Sequence, residues 1–322
     1  MDVFTVGEAL SCFAPIDGRL ADARVVAKSV GGAEFNTAVG LARLGDSVCW
    51  CSRLGADPFG DDILQRAQRE GIVTDYVSRP SGSATGLMFK DRSDPLLATT
   101  YYYRNSSAAA GLSPEDLPDR LAGARHLHVT GVAMWIGPGP QALVWRALQT
   151  AVDLNMSVSF DPNFRLQLAT VESMREASLR ALPFTSTFLC NEFEAASITG
   201  LQDPREAATS LSRLGPKAVI VKRGIDGVVA VIDEVTYVLP AWPVPIPLDP
   251  VGAGDAFNAG WIHSQLHNLD PAVGLALSAF VAAQVVSHET DHDGFPPLSE
   301  VSAWLADQSP AIGTPVEGTV AR

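Results

Sequence analysis

Asp249-Pro250-Val251-Gly252-Ala253-Gly254-Asp255-Ala256-Phe257-Asn258-Ala259-Gly260 reads as a tight loop running straight into an apolar helix, with Asp255 in the first turn. Small residues at 252–254 let backbone N–H groups come close to a ligand, and a helix N-terminus attracts anions. A carboxylate beside such a site suits phosphoryl transfer, because the amides hold a phosphate while Asp255 accepts the proton of an attacking hydroxyl. The same residues also fit a glycine turn in which Asp255 is only a favourable charge at a helix start. The rest of the chain has to decide between the two.

Working outward, residues 3–7 form a short apolar strand ending in Gly7-Glu8. Residues 11–30 are mixed and strand-like around the turn signal Asp17-Gly18. Gly31-Gly32-Ala33-Glu34-Phe35-Asn36 then leads into a helix that ends at Gly45. A strand over 47–54 and a helix over 59–70 follow. Alternation resumes with strands at 126–130, 156–160 and 186–190, and helices at 140–153, 171–181, 192–198 and 204–213. Strands at 217–222, 227–232 and 235–239 precede two long Ala-rich helices at 254–267 and 271–287. That pattern predicts an α/β fold, doubly wound, with a mostly parallel sheet covered on both faces. It breaks at 81–106, where 84–90 and 99–103 read as two strands joined by the polar turn 91–95; paired with 11–30 they form a small separate sheet. Residues 309–322 lack apolar periodicity and read as a frayed tail.

Composition narrows the function. The chain has 322 residues, 47% of them hydrophobic, which is ample for a large core. The net charge of −13 without a basic run argues against nucleic acid and anionic membranes as partners. Cys12, Cys49, Cys51 and Cys190 show no zinc spacing and read as buried thiols. The start carries no basic segment followed by a long apolar one, so a cytoplasmic protein is expected. Gly137-Pro138-Gly139-Pro140-Gln141-Ala142 imitates a dinucleotide loop, but its prolines remove N–H groups that a pyrophosphate needs. The chain has no P-loop sequence, and His263 and His267 stand four apart on a helix without the intervening Glu of a zinc hydrolase.

The string 249–260 resembles the C-terminal signature of the ribokinase-like (PfkB) carbohydrate kinases. A second anchor is independent of it: Gly31-Gly32, Asn36, Gly45 and Gly55 match the N-terminal signature of that family. Gly31-Gly32-Ala33-Glu34 is similar to the branch that phosphorylates 2-keto-3-deoxygluconate, as are Tyr102-Tyr103-Arg104, Asp161-Pro162-Asn163-Phe164-Arg165 and Asp291-His292-Asp293-Gly294. The resemblance spans about residues 3–308 and implies one kinase domain over 1–308, with a β lid from about 9–30 and 83–106. It implies Asp255 as the base and Gly252, Ala253 and Gly254 as the anion hole. Gly32, Asn36, Tyr102, Arg104, Arg165 and Asp291 are expected to hold the sugar acid. Asn163, Lys222, Gly224 and Gly227, together with the 252–254 loop, are expected along ATP, and Asn191 and Glu194 at Mg²⁺; the resemblance leaves room for a monovalent cation. It also implies a homodimer or higher homo-oligomer paired through the lids.

Physically, Arg104 offers a fork to a carboxylate and the tyrosines offer ring faces to a sugar. On residues alone, Tyr102-Tyr103-Arg104 is equally an edge-strand ladder, and Asn191 to Glu194 equally a helix cap. Two departures from close relatives, Met88 in place of a Tyr and Ala279 in place of an Asn, bear on substrate and base preference. The alternatives to a 2-keto-3-deoxygluconate kinase are a kinase for fructose or another ketose, and a sugar-binding sensor of the same fold without turnover.

Overall fold

Each short run of β-branched and aromatic residues found in the sequence becomes a strand, and the intervening amphipathic runs become the helices that cover it. The computed structural model describes residues 1–16, 18–91 and 99–308. The expected tail at 309–322, Asp17 of the first turn and most of the turn at 91–95 lie outside the described residues.

In chain order the elements are β1 (Val3–Val6), β2 (Leu10–Pro15), β3 (Val26–Gly31), α1 (Ala33–Arg43), β4 (Val48–Arg53), α2 (Pro58–Arg69), β5 (Val73–Ser78), β6 (Leu87–Asp91) and β7 (Thr99–Tyr103). Next come β8 (His126–Thr130), α3 (Gly131–Trp135), α4 (Pro138–Asp153), β9 (Ser157–Asp161), α5 (Val171–Ala181), β10 (Thr187–Asn191), α6 (Glu192–Thr199) and α7 (Pro204–Ser212). The chain ends in β11 (Ala218–Lys222), β12 (Val228–Ile232), β13 (Val235–Leu239), α8 (Ala253–Leu266), α9 (Pro271–Val286) and α10 (Leu298–Gln308). The sequence reading lacked β5, α3 and α10. It also began β6 too early: Ala84 makes an isolated bridge to Ser107 instead.

The large sheet runs β13-β12-β11-β10-β9-β8-β1-β4-β5. It is parallel from β11 to β5, and the β12–β13 hairpin adds antiparallel strands at one side. Side chains alternate across it. Phe4, Val6, Cys49 and Cys51 pack under α4–α7, whereas Val3, Val48 and Trp50 pack under α1, α2, α8, α9 and α10. All four cysteines are buried free thiols, as expected. Helix α8 is buried on nearly every side, and its polar residues Asp255, Asn258, His263 and Ser264 are buried with it. At its far end His263 Nδ1 and His267 Nε2 both hydrogen-bond the Asp46 carboxylate, 2.8 and 2.9 Å, tying it to the end of α1. No helix among the described residues is long and apolar enough to cross a membrane.

The small sheet has the order β3-β2-β6-β7 and joins the two chain segments expected for it. In β6 the strand period puts Met88 and Lys90 on the buried face. Leu10, Cys12, Met88 and Tyr102 close over the large domain. On the other face the Phe13 and Phe89 rings stack at 5.2 Å and Phe89 meets Tyr103 edge-on at 5.6 Å, with Tyr101 and Tyr103 exposed.

Candidate active site

The parallel register sets the site. Asp161, Asn191 and Lys222 are the last residues of three adjacent strands, and Glu8 follows β1. Strand order reverses between β1, whose chain continues to β4, and β8, whose chain continues to β9. Open α/β sheets bind ligands in the crevice that such a reversal leaves at the carboxyl edge. Here the crevice is a cavity of about 820 Å³. Helices α1 and α8 bring Asn36 and Asp255 into it, with Asn36 Nδ2 donating to Asp255 Oδ2 at 2.8 Å.

The loop before α8 carries the features expected of an anion site. Gly252 sits at φ 88°, and a Cβ there would collide with the backbone of Asp291, so only glycine fits. The Ala253 amide donates to Pro250 O at 3.2 Å, but among the described residues the amides of Gly252, Gly254 and Asp255 have no protein acceptor. Among the described residues a Cβ on Gly254 would meet only Lys222 Nζ, at 3.5 Å, so the space beside it is open to a ligand. Asp255 is 8% exposed. Burial pushes its carboxyl up to about 8, and Asp161 adds to that, against the Asn36 hydrogen bond and the charges of Arg165 and Lys222. A base poised near neutral pH is what proton abstraction from a hydroxyl calls for.

Next to it, Lys222 Nζ bonds Asp161 Oδ2 at 2.7 Å and Asn258 Oδ1 at 3.1 Å, while Asn258 Nδ2 donates to the same Asp161 oxygen at 2.7 Å. Burial opposes charge on Lys222, and Asp161 outweighs it, holding the ammonium above its usual value. Asn163 adopts a left-handed conformation and gives its N–H to Asp161 Oδ1 at 3.0 Å. Asn191 and Glu194 form a capping box on α6, and the second Glu194 oxygen accepts the Phe164 amide at 2.7 Å. Burial, reinforced by Asp161, pushes Glu194 up to about 6. Asp161, Glu194 and Asp255 thus surround one ammonium with three buried carboxylates. That surplus of negative charge fits a hydrated divalent cation, although Glu194 already gives both oxygens to backbone amides. Gly224 and Gly227, both at positive φ, line the cavity beside the apolar slot of Ile225, Ala279 and Ala283.

The opposite end, under the small sheet, differs most from expectation. Gly32, Tyr102, Arg104 and Asp291 line it. Arg104 Nη1 is already paired with the buried Glu8 carboxylate at 3.0 Å, its guanidinium lies 4.3 Å from the Tyr102 ring centre, and its Nε has no partner among the described residues. Ser107 Oγ donates to the other Glu8 oxygen at 3.0 Å, and burial raises the Glu8 pKa despite Arg104. Arg165 donates to Phe164 O at 3.2 Å and also lines the cavity. Glu34, which follows the paired glycines of the N-terminal signature, lies outside the cavity lining. It accepts from Thr130 Oγ1 at 2.5 Å and pins α1 to β8, with burial pushing its carboxyl up to about 7. The Asp291 carboxylate lies 2.5 Å from Lys90 Nζ, which also bonds Asp249 at 3.0 Å. The Asp249 and Asp291 carboxylates therefore share one ammonium. Sequence reasoning missed Glu8, Lys90, Asp249 and Asn258; the one signal for Lys90 was a lone lysine on the apolar side of a strand.

Residues 2–296 match the family described as pfkB family carbohydrate kinase. The chain is 30% identical over 96% of both lengths to a 2-dehydro-3-deoxygluconokinase of Bacillus subtilis. It is 33% identical to a fructokinase of Klebsiella pneumoniae, over 71% of this chain and 75% of that one. Among solved structures, a PfkB protein from a Polaromonas species superposes with a TM-score of 0.86 at 33% identity, covering 94% of this chain and 99% of that one.

Proposed function

Given that this chain belongs to the pfkB family of carbohydrate kinases, we propose that it transfers the γ-phosphate of ATP to the primary hydroxyl of a sugar acid. Our choice of substrate is 2-keto-3-deoxygluconate, giving its 6-phosphate. The observation that carries phosphoryl transfer is the buried Asp255, pushed up to about 8, in a helix turn where the amides of Gly252, Gly254 and Asp255 lack acceptors among the described residues. The sugar hydroxyl gives its proton to Asp255 as its oxygen attacks the γ-phosphorus. The bond to the bridging oxygen breaks, ADP leaves with the electron pair, and the free amides of Gly252, Gly254 and Asp255 take up the developing charge. Lys222, Asn163, Gly224 and Gly227 would lie along the phosphates, and the slot at Ala279 would take the base by apolar contact. Mg²⁺, when bound, neutralises phosphate charge; Glu194 and Asp161 would hold it through water, with Asn191 fixing Glu194 through the capping box. A sugar-binding sensor has no use for a base with a raised pKa, which argues against that alternative.

Two features support an acid as substrate: the Arg104 and Arg165 guanidiniums in the cavity, and the resemblance to a 2-dehydro-3-deoxygluconokinase. One favours a neutral ketose, the second reading. Glu8 already neutralises Arg104, so the sugar end carries less positive charge than its arginine promises. The small sheet would act as the lid, and its exposed aromatic face supports pairing of two lids in a homodimer. A coupled ATPase screen over 2-keto-3-deoxygluconate, 2-keto-3-deoxygalactonate, gluconate, fructose and ribose tests the reading. The highest kcat/KM on fructose would replace it by the second one, and sugar-independent ATP turnover alone would remove both.

A further inference from the structure

Burying a lysine ammonium is unfavourable unless carboxylates meet it. Lys90 is 2% exposed, and it sits on the small sheet rather than in the scaffold that carries the chemistry. The strand period of β6 turns it inward beside Met88, and its Nζ lies 2.5 Å from Asp291 Oδ1 and 3.0 Å from Asp249 Oδ2. It does not line the cavity, so it acts through its partners.

Both partners lead to the same place. Asp249 uses its other oxygen to accept the Val251 amide at 2.9 Å, which shapes the turn into Gly252. The backbone of Asp291 packs so closely on Gly252 that no side chain fits between them. Asp249 and Asp291 are 3% and 2% exposed. Two such buried carboxylates beside amides meant for a phosphate would repel it and each other, and something positive must stand between them. Burial works against the charge of Lys90, but the two carboxylates outweigh it and hold the ammonium above its ordinary value.

We propose that Lys90 is a positioning residue that serves as the built-in cation of the anion loop, taking the place that a free monovalent cation would fill between Asp249 and Asp291. This rests on the phosphoryl-transfer reading of the 252–255 loop. The loop is then ordered by the small sheet rather than by the salt of the medium, and the sheet's position over the sugar is linked to the geometry that receives the phosphate.

The test compares purified protein in K⁺ with protein in tetramethylammonium, which is too large for the site, at equal ionic strength. The parent should melt within about 1 °C in the two salts and turn over within about twofold. Lys90→Ala in tetramethylammonium should lose at least ~10-fold in kcat. K⁺ or methylammonium should restore much of that and raise its melting temperature by about 3 °C or more. Lys90→Arg, which keeps the charge, should remain indifferent to K⁺. If Lys90→Ala folds poorly, its refolding yield in the two salts reads the same difference. A parent stabilised or activated by K⁺, or a Lys90→Ala protein that behaves alike in both salts, overturns the proposal. The melting arm needs no turnover, so it stands or fails separately from the proposed reaction.

Discussion

Asp255→Asn separates the cost of the proposed base from its use. The substitution is isosteric, and the amide oxygen still accepts from Asn36 Nδ2, which bonds Asp255 at 2.8 Å in the parent. Burial raises the folded-state pKa from 3.8 to about 8, so the native protein binds this proton more tightly than the unfolded chain does. The stabilisation is therefore complete below the unfolded pKa and is lost as pH rises through about 8. At about 1.4 kcal/mol per unit, the loss is on the order of 5 kcal/mol above pH 8, comparable with the whole stability of many domains. Asparagine has no proton to lose and escapes it. We expect Asp255→Asn to melt with the parent near pH 4 and at least ~3 °C above it at pH 8. Its kcat should drop at least ~100-fold, the low end for a general base. In the parent, kcat/KM should fall about tenfold per unit as pH drops below about 8, because the base is then protonated in the free enzyme. Melting curves across pH and a coupled assay give all three readings. Matching melts at every pH would refute the buried-charge argument, and near-parent turnover would remove Asp255 as the base.

Three further outcomes follow. Gly254→Val should fold, because among the described residues a Cβ there meets only Lys222 Nζ at 3.5 Å, yet lose at least ~100-fold in kcat by filling the phosphate's place; parent-like turnover would move the phosphate elsewhere. Arg104→Met alone would leave the buried Glu8 without its cation, which costs about 3–5 kcal/mol, so the double variant Glu8→Gln with Arg104→Met is the cleaner probe. It should raise KM for 2-keto-3-deoxygluconate at least ~10-fold and change fructose little; equal losses on both would assign Arg104 to the architecture of the small sheet. Glu194→Gln should raise the Mg²⁺ concentration needed for half-maximal rate at least ~10-fold while leaving the sugar KM unchanged, and an unaltered Mg²⁺ titration would leave Glu194 as a helix cap only.

The sequence was most legible where chemistry and local structure coincide. The glycine loop before α8 and the strand ends at Asp161, Asn191 and Lys222 were placed from short segments, because a strand followed by a turn and a helix announces itself locally. β5 was missed because Asp75 breaks its apolar pattern and it lies at the sheet edge, partly covered on both faces. The buried ion pairs were illegible for a different reason. Glu8 and Arg104 lie 96 residues apart and Lys90 and Asp291 lie 201 apart, so each reads on its own as a solvated charge. Only the folded topology makes them partners. It also changes the meaning of Arg104, from a fork waiting for substrate to one already half engaged.

The small sheet enters the chain as two inserts, β2–β3 between β1 and α1 and β6–β7 between β5 and β8. Asp161, Asn191 and Lys222, by contrast, stand on adjacent parallel strands whose spacing of about 4.8 Å is set by backbone hydrogen bonds. On the proposed reading, part of substrate choice would thereby be housed apart from bond-making within one polypeptide. On that reading, mutational drift in the two inserts would retune which sugar is admitted while the ends of β9, β10 and β11 stay in register. Lys90 limits that freedom, because a replacement insert has to bring its own positive charge to the same spot.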